Sequence, residues 1–308
     1  MQEMEEISSK EKNGVLILNK PIGMTSHDLV NIIRKFFNIK KVGHTGTLDP
    51  DAQGVMIVAL GRATKFIRFF SDTNKTYHAQ ILFGNETDTY DISGKIMNKK
   101  EPTFSAASLK DSIGSFAGKI MQRPPIFSAL KKDGRHYYEY ARQGIQIDIP
   151  KREVEIFDIQ LLDAKVPFSA NIRVKCSSGT YIRSLCHDIG LSLGTYACMG
   201  KLERTAIGRF DVEQSFSISD LEKMNPEQRM EVLLPVDDFL SSYRTVQSNV
   251  RGDRFIKNGN KLFQWNALDH FDNYQDSELL KIYDSQYHFV GMGKYSQSDN
   301  FVYPIKMF

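Results

Sequence analysis

Apolar residues fall along this chain in two rhythms. The first is a set of short runs bounded by turn-forming residues, with the length and composition of strands. Gly14–Asn19 (GVLILN) is one, stopped by Lys20-Pro21. Val55–Leu60, Tyr77–Phe83, Val154–Leu162 and Ala170–Cys176 are others. The second rhythm is helical. Leu29, Ile32, Ile33 and Phe36 recur at helical spacing behind a Thr25 or Ser26 cap. A further helix is predicted from about Thr180 to Leu193: Ile182, Leu185, Ile189 and Leu193 share a face, and Gly194 closes it. Strands and helices mix without a regular βαβ alternation. That argues for an α+β fold over a doubly wound sheet.

The pattern changes after about Val236. Aromatic residues and short strand-like runs then dominate, at Leu279–Tyr283, Tyr287–Gly291 and Phe301–Ile305. This predicts a small β domain of about 65 residues. The expected division is a polar lead-in over residues 1–13, a main body over 14–240 and a β domain over 241–308. There is no internal repeat. The opening MQEMEEISSKEKNG is polar and acidic, unlike a signal peptide. No apolar run approaches the ~20 residues of a membrane span. Cys176, Cys186 and Cys198 contain no CxxC pair, which predicts buried, reduced thiols and a cytoplasmic protein.

Composition changes this picture little, but the distribution of charge does. Forty basic and 37 acidic side chains leave a net charge of only +3 over 308 residues. Residues 15–70 nevertheless hold eight Lys/Arg against three Asp/Glu, and so do residues 119–152. Residues 245–308 hold seven of each. Two basic stretches on one surface would form a footprint for phosphates; two separate solvated faces would not.

The candidate chemistry lies in the loop GHTGTLDPDAQG, which contains Asp49-Pro50. Polar loops carried by rigid strands are where function concentrates, and Pro50 biases Asp49 to an extended backbone. By itself this reads first as an Asx turn or a Pro-stabilised loop. The histidines are scattered, and no Cys/His cluster at zinc spacing and no P-loop is present.

The longer strings are more informative. GHTGTLDPDAQGV closely resembles the central motif of the TruB family, the tRNA pseudouridine-55 synthases. GVLILNKPIGMTSHDLV resembles the family's first motif, with Asn19 where the family often carries Asp. GRATKF, TYHAQILFGNETDTYDISG, PPIFSALKKDGRHYYEYARQGI and SSGTYIRSLCHDIG continue the match. KNGNKL and FVGMGK resemble the RNA-binding domain at the C-terminus of bacterial members.

The resemblance implies a pseudouridine synthase fold, with a central mixed or antiparallel sheet flanked by helices, and a PUA-like β domain behind it. It implies conversion of uridine to pseudouridine in the T-arm of tRNA, with no cofactor and no metal. Asp49 matches the catalytic carboxylate and Arg183 its partner. A neighbouring arginine is expected to lower the pKa of that carboxylate. Tyr181 matches a tyrosine beside the reacting base, and Tyr77 the aromatic platform for a flipped base. Leu202 matches an apolar wall, and His44 a histidine that fills the space the base leaves. Lys20 and Lys65 lie in matching motifs, either facing phosphates or buttressing the loop. A monomer without an obligate protein partner is expected. The rival readings are an RNA-folding module without catalysis, a guide-dependent relative in a multiprotein particle, and a glycosidase using Asp49 and Asp51.

Overall fold

The computed structural model describes residues 12–70 and 74–308, so nearly all of the lead-in expected over 1–13 lies outside the described residues. Nine strands among them form one sheet. Its spine runs β1 (Gly14–Lys20), β3 (Gln53–Leu60), β12 (Ala197–Ile207), β4 (Lys75–Phe83), β11 (Ser169–Cys176), β10 (Arg152–Lys165) and β7 (Gly118–Gln122). Short strands β2 (Val42–His44) and β13 (Phe210–Asp211) pair with β3 and β12. Only the β3–β12 contact is parallel, so the sheet is mixed and nearly all antiparallel. The small ladders β5 (Asn85–Thr87) with β6 (Ile96–Lys99), and β8 (Lys131–Lys132) with β9 (Arg135–His136), project from it.

β1 reads as continuously apolar because both of its faces are covered. Leu16 and Leu18 pack with Met56, Val58, Leu29 and Ile33 on one side, and Val15 and Ile17 pack with Ile57 and Phe239 on the other. The helix over Ser26–Phe37 (α1) closes the first side. Thr25 caps it in a capping box with Asp28. Its buried stripe is Leu29, Val30, Ile33 and Phe37, rotated from the expected one; Ile32 and Phe36 are only half-buried. A helix over Ala106–Gly114 (α2) and the helix over Ile182–Ser192 (α3) cover the β4–β11 half of the sheet.

The second sheet is built from β14 (Arg244–Gln247), β16 (Leu279–Tyr283), β17 (Phe289–Ser296), β18 (Phe301–Met307) and β15 (Leu262–Phe263), in that order. With the helix over Val250–Lys257 (α4) it encloses its own core around Val246, Ile256, Leu280 and Val302. The run expected as Tyr287–Gly291 starts two residues later, because Tyr287 takes a left-handed φ of 64° in the turn before β17. Phe289 and Phe308 pack their rings against Phe66 of the main body at 5.5 and 5.8 Å. The Tyr283 hydroxyl donates to Asp237 Oδ2 at 2.8 Å. The three cysteines are free and buried, as expected. No helix among the described residues is long and apolar enough to cross a membrane.

Candidate active site

The loop between β2 and β3 carries Asp49, and its shape is fixed from below by side chains that hydrogen-bond its backbone. Ser26 does not cap α1. Its buried hydroxyl accepts from Leu48 N at 2.9 Å and donates to Leu48 O at 3.1 Å. Lys20, wholly buried, donates from Nζ to the carbonyls of Met24 (2.8 Å), Pro21 (2.9 Å) and Pro50 (3.3 Å). Burial lowers its pKa, opposed by the charges of Asp49 and Asp51. Its ammonium is thus spent on the backbone of the turn over residues 20–24 and of the Asp49 loop.

Arg204 completes this support. It is 1% exposed, and donates to Val55 O from Nε at 2.7 Å and to Gly46 O from Nη2 at 3.2 Å. The parallel approach of β12 to β3 leaves no room for a side chain at Gly54. A Cβ there would strike the Arg204 backbone, and its φ of 112° suits glycine. Sequence reasoning missed Arg204, because β12 itself is hard to see in ACMGKLERTAI. Lys201, Glu203 and Arg204 interrupt its apolar pattern, although the strand lies centrally in the sheet.

Arg183 projects from the first turn of α3 and is 7% exposed. Its Nε lies 3.0 Å from Asp49 Oδ2 and its Nη2 donates to Asp49 Oδ1 at 3.2 Å. The rest of the guanidinium donates to Thr89 O (3.1 Å) and Phe127 O (3.0 Å) and faces Asp91 Oδ2 at 3.5 Å. A buried arginine thus has its donors occupied, and the fork presents one edge to Asp49. Asp91 lies in a quoted motif but had no expected role.

The Asp49 carboxyl departs from expectation. Burial raises its pKa above the ordinary 3.8, and the charge of Arg183 opposes that without overcoming it. Asp91 and Asp51 add to the upward shift. An arginine shared between carboxylates compensates Asp49 only in part.

A cavity of about 440 Å³ opens over this pair, within the usual range for small-ligand sites. Tyr77, Tyr181, Leu202, Asp49, Arg183 and Arg204 all line it. Tyr77 stands on β4 directly opposite Arg204 on β12. It is 7% exposed, and burial raises its pKa. Tyr181 caps α3, where Gln122 pins its backbone: Tyr181 N donates to Gln122 Oε1 at 2.8 Å, and Gln122 Nε2 to Tyr181 O at 3.0 Å. Nothing in the sequence marks Gln122. Lys75, Tyr138 and Ser128 line the cavity too and were not foreseen.

Three expected residues stand apart from the lining, Lys20 beneath the loop and two others. His44 ends β2; burial and the Arg204 charge lower its pKa, and its Nδ1 has no hydrogen-bond partner. Lys65 is exposed and donates to Met307 O at 3.0 Å, joining the main body to the second sheet. No group of three His, Cys, Asp or Glu able to hold a metal ion occurs among the described residues.

Comparison with known proteins agrees with this architecture. The model of the TruB family pseudouridylate synthase N-terminal domain matches residues 34–182, and that of the tRNA pseudouridylate synthase B C-terminal domain matches 183–241. The tRNA pseudouridine synthase B of Clostridium acetobutylicum is 40% identical over 285 residues, 92% of this chain and 96% of its own length. That of Syntrophotalea carbinolica is 45% identical over 232 residues, 75% and 76% of the two chains. Among solved structures, a Cbf5–Nop10–Gar1 complex matches at 27% identity with a TM-score of 0.71, covering 92% of this chain and 78% of the other. An archaeal box H/ACA Nop10–Cbf5 complex shares the fold at a TM-score of 0.72 and 24% identity, covering 96% and 85%.

Sequence and fold alike are those of the pseudouridylate synthases. Within that class, the chain belongs to the TruB family.

Proposed function

We propose that this enzyme isomerises uridine to pseudouridine in the T-loop of tRNA, at position 55, with Asp49 as the catalytic carboxylate. The observation that carries the reading is the paired contact of Arg183 with both oxygens of Asp49, under a cavity walled by Tyr77, Tyr181 and Leu202. The names of the tRNA-modifying relatives support the substrate.

In this reaction the N1–C1′ bond breaks, the uracil turns, and C5 bonds to C1′. C5 loses its proton and N1 gains one, so atoms and charge balance without a cofactor. A carboxylate can stabilise positive charge at C1′, trap it covalently, or act as a base toward the ribose. Its ionised form is needed in each case, and Arg183 favours that form against burial. The target uridine is extruded from a folded loop, and stacking on an aromatic ring lowers the cost. Tyr77 supplies the ring and Leu202 the opposing apolar wall. Tyr181 orients the base or takes the C5 proton, and His44, neutral at physiological pH, fills the vacated space in the RNA.

The protein works as a cytoplasmic monomer without an obligate partner. The β domain over 241–308 is PUA-like and grips RNA beside the main body. The test is incubation with an unmodified T-arm stem-loop, followed by chemical detection of pseudouridine. Asp49→Asn serves as the control: RNA binding is expected to persist and product to vanish. Product formation by Asp49→Asn would remove Asp49 from its role.

A further inference from the structure

One turn beyond Arg183 on α3 stands a side chain that the reaction described above does not use. His187 is 7% exposed. Its Nε2 lies 2.7 Å from Glu86 Oε1 on β5, and its Nδ1 lies 3.4 Å from Asp188 Oδ1. Its ring stacks on Tyr90 at 4.1 Å with 22° between the planes. Tyr90 takes a left-handed φ of 60°, which a bulky residue adopts only where its surroundings hold it. On either side of Tyr90 are the two groups that meet the far edge of the Arg183 guanidinium: Thr89 O at 3.1 Å and Asp91 Oδ2 at 3.5 Å.

We infer that His187 is a positioning residue for Arg183, clamping the turn that presents Thr89 and Asp91 to the guanidinium. The inference rests on the reading of Asp49 and Arg183 as the reaction centre. The turn has its own internal bonds. Asp91 Oδ1 accepts from Thr89 Oγ1 (2.7 Å), Ser93 N (3.0 Å) and Ser93 Oγ (2.6 Å). These fix its local shape. Its placement against α3 depends on what reaches it from outside. Met199 on β12 holds its backbone, donating to Tyr90 O at 2.8 Å and accepting from Ile92 N at 3.0 Å. His187 holds its Tyr90 ring. Glu86, the other end of the clamp, is itself fixed by Asn98 Nδ2 at 2.6 Å.

The clamp is strongest with a charged ring, because an imidazolium gains from Glu86, from Asp188 and from the face of Tyr90. The charges around it are Glu86 on β5, Asp188 on its own helix and Arg183 one turn earlier; Arg123, after β7, acts on Tyr90. Burial works against the proton. The hydrogen bonds to Asp188 and Glu86 outweigh it, and the pKa is raised above 6.5. The clamp therefore keeps its proton to higher pH than a free imidazole would, and loosens as pH climbs past the raised value. Tyr77 and Tyr181 have pKa values raised above 10 by burial and do not titrate in that interval.

The test is the single-turnover rate of pseudouridine formation on a T-arm stem-loop from about pH 6 to about pH 9, with RNA affinity measured in parallel. Wild-type enzyme is expected to lose rate on the alkaline side. His187→Phe keeps a flat ring over Tyr90 and loses the charge and both hydrogen bonds. It is expected to be slower by about tenfold at the acid end of that range, short of the roughly hundredfold that a 1 Å misplacement can cost, with near-normal RNA affinity and no alkaline limb. Glu86→Gln keeps a hydrogen-bonding group but removes the charge, and should move the alkaline limb about one unit toward acid. It decides the matter if His187→Phe does not fold. A limb that stays in place in Glu86→Gln, or a wild-type rate and profile in His187→Phe, overturns the role. Asp49→Asn is run alongside. Turnover by that variant would instead overturn the reading of the reaction centre.

Discussion

Arg183 grips Asp49 by both carboxylate oxygens, Nε to Oδ2 at 3.0 Å and Nη2 to Oδ1 at 3.2 Å. Lysine cannot reproduce that grip, because it offers a single ammonium on a flexible stem. It would also leave Thr89 O and Phe127 O without the donors they now have. Arg183→Lys is expected to lose about 2–4 kcal/mol of transition-state stabilisation, roughly 30- to 900-fold in rate. Single-turnover kinetics at saturating RNA measure this. A near wild-type rate would mean that Arg183 does not hold Asp49 during the reaction.

Asp49 has a pKa raised by burial, and this gives two signs to check. If the carboxylate is the working form, the rate should fall as pH drops through the folded pKa, at a pH above the ordinary value for Asp. For stability the sign is opposite. The folded state holds this proton more tightly than the unfolded chain does, so Asp49 contributes less to stability as pH rises through that interval. Asp49→Asn should therefore be inactive yet at least as stable as wild type at neutral pH. Urea midpoints measured with the activity check both. A marked loss of stability would show that the ionised pair helps to hold the fold.

The sheet and the two main helices were legible because β1, β3, β4 and β11 carry apolar residues at strand spacing and α3 carries them at helical spacing. Asp49, Arg183, Tyr77 and Tyr181 lie in motif strings, Leu202 is implied by the family resemblance alone, and all five come together around one cavity. β12 was not legible, since its buried Arg204 looks like a surface charge until the carbonyls of Val55 and Gly46 are seen to receive it. The pKa direction at Asp49 was missed for a related reason. Sequence spacing identifies the neighbouring arginine, but says nothing of Asp91 arriving from a separate hairpin to share it, nor of the extent of burial. Sequence type alone leaves the choice between Thr25 and Ser26 as the cap open. Both are good helix caps by type, yet Thr25 caps and Ser26 turns inward to the loop that carries Asp49.

Lys20 offers a test of the loop's support independent of the chemistry. It is fully buried and its three hydrogen bonds all go to backbone carbonyls, one of them that of Pro50, beside Asp49. Lys20→Met keeps most of the volume and leaves those carbonyls unsatisfied. The expected cost is about 2–4 kcal/mol, since each abandoned buried acceptor costs on the order of 1 kcal/mol or more. Chemical denaturation measures it. The rate should fall as well, because the loop that presents Asp49 loses its anchor. Unchanged stability would mean that water takes the place of the ammonium and that Lys20 is dispensable to the loop.

The salt dependence of RNA binding tests where the phosphates are held. Residues 245–308 carry seven basic and seven acidic side chains, while residues 119–152 carry eight against three. Deleting the C-terminal sheet is a poor test. It would uncover Phe66, which Phe289 and Phe308 now cover, and break the bond from Tyr283 to Asp237. Substitution of exposed cations avoids this. Lys131 and Lys132 are both exposed on the β8–β9 ladder. Each phosphate contact adds roughly 0.7–0.9 to the log–log salt slope, because bound cations release counterions. Lys131→Gln with Lys132→Gln should therefore flatten the slope by up to about 1.4–1.8. Arg251→Gln with Arg254→Gln, on α4, should change it less, because residues 245–308 have no net charge to contribute. The larger loss of slope falling on the α4 pair would make the C-terminal sheet and α4 the main electrostatic anchor and overturn the placing of the phosphate contacts on the basic stretch at 119–152.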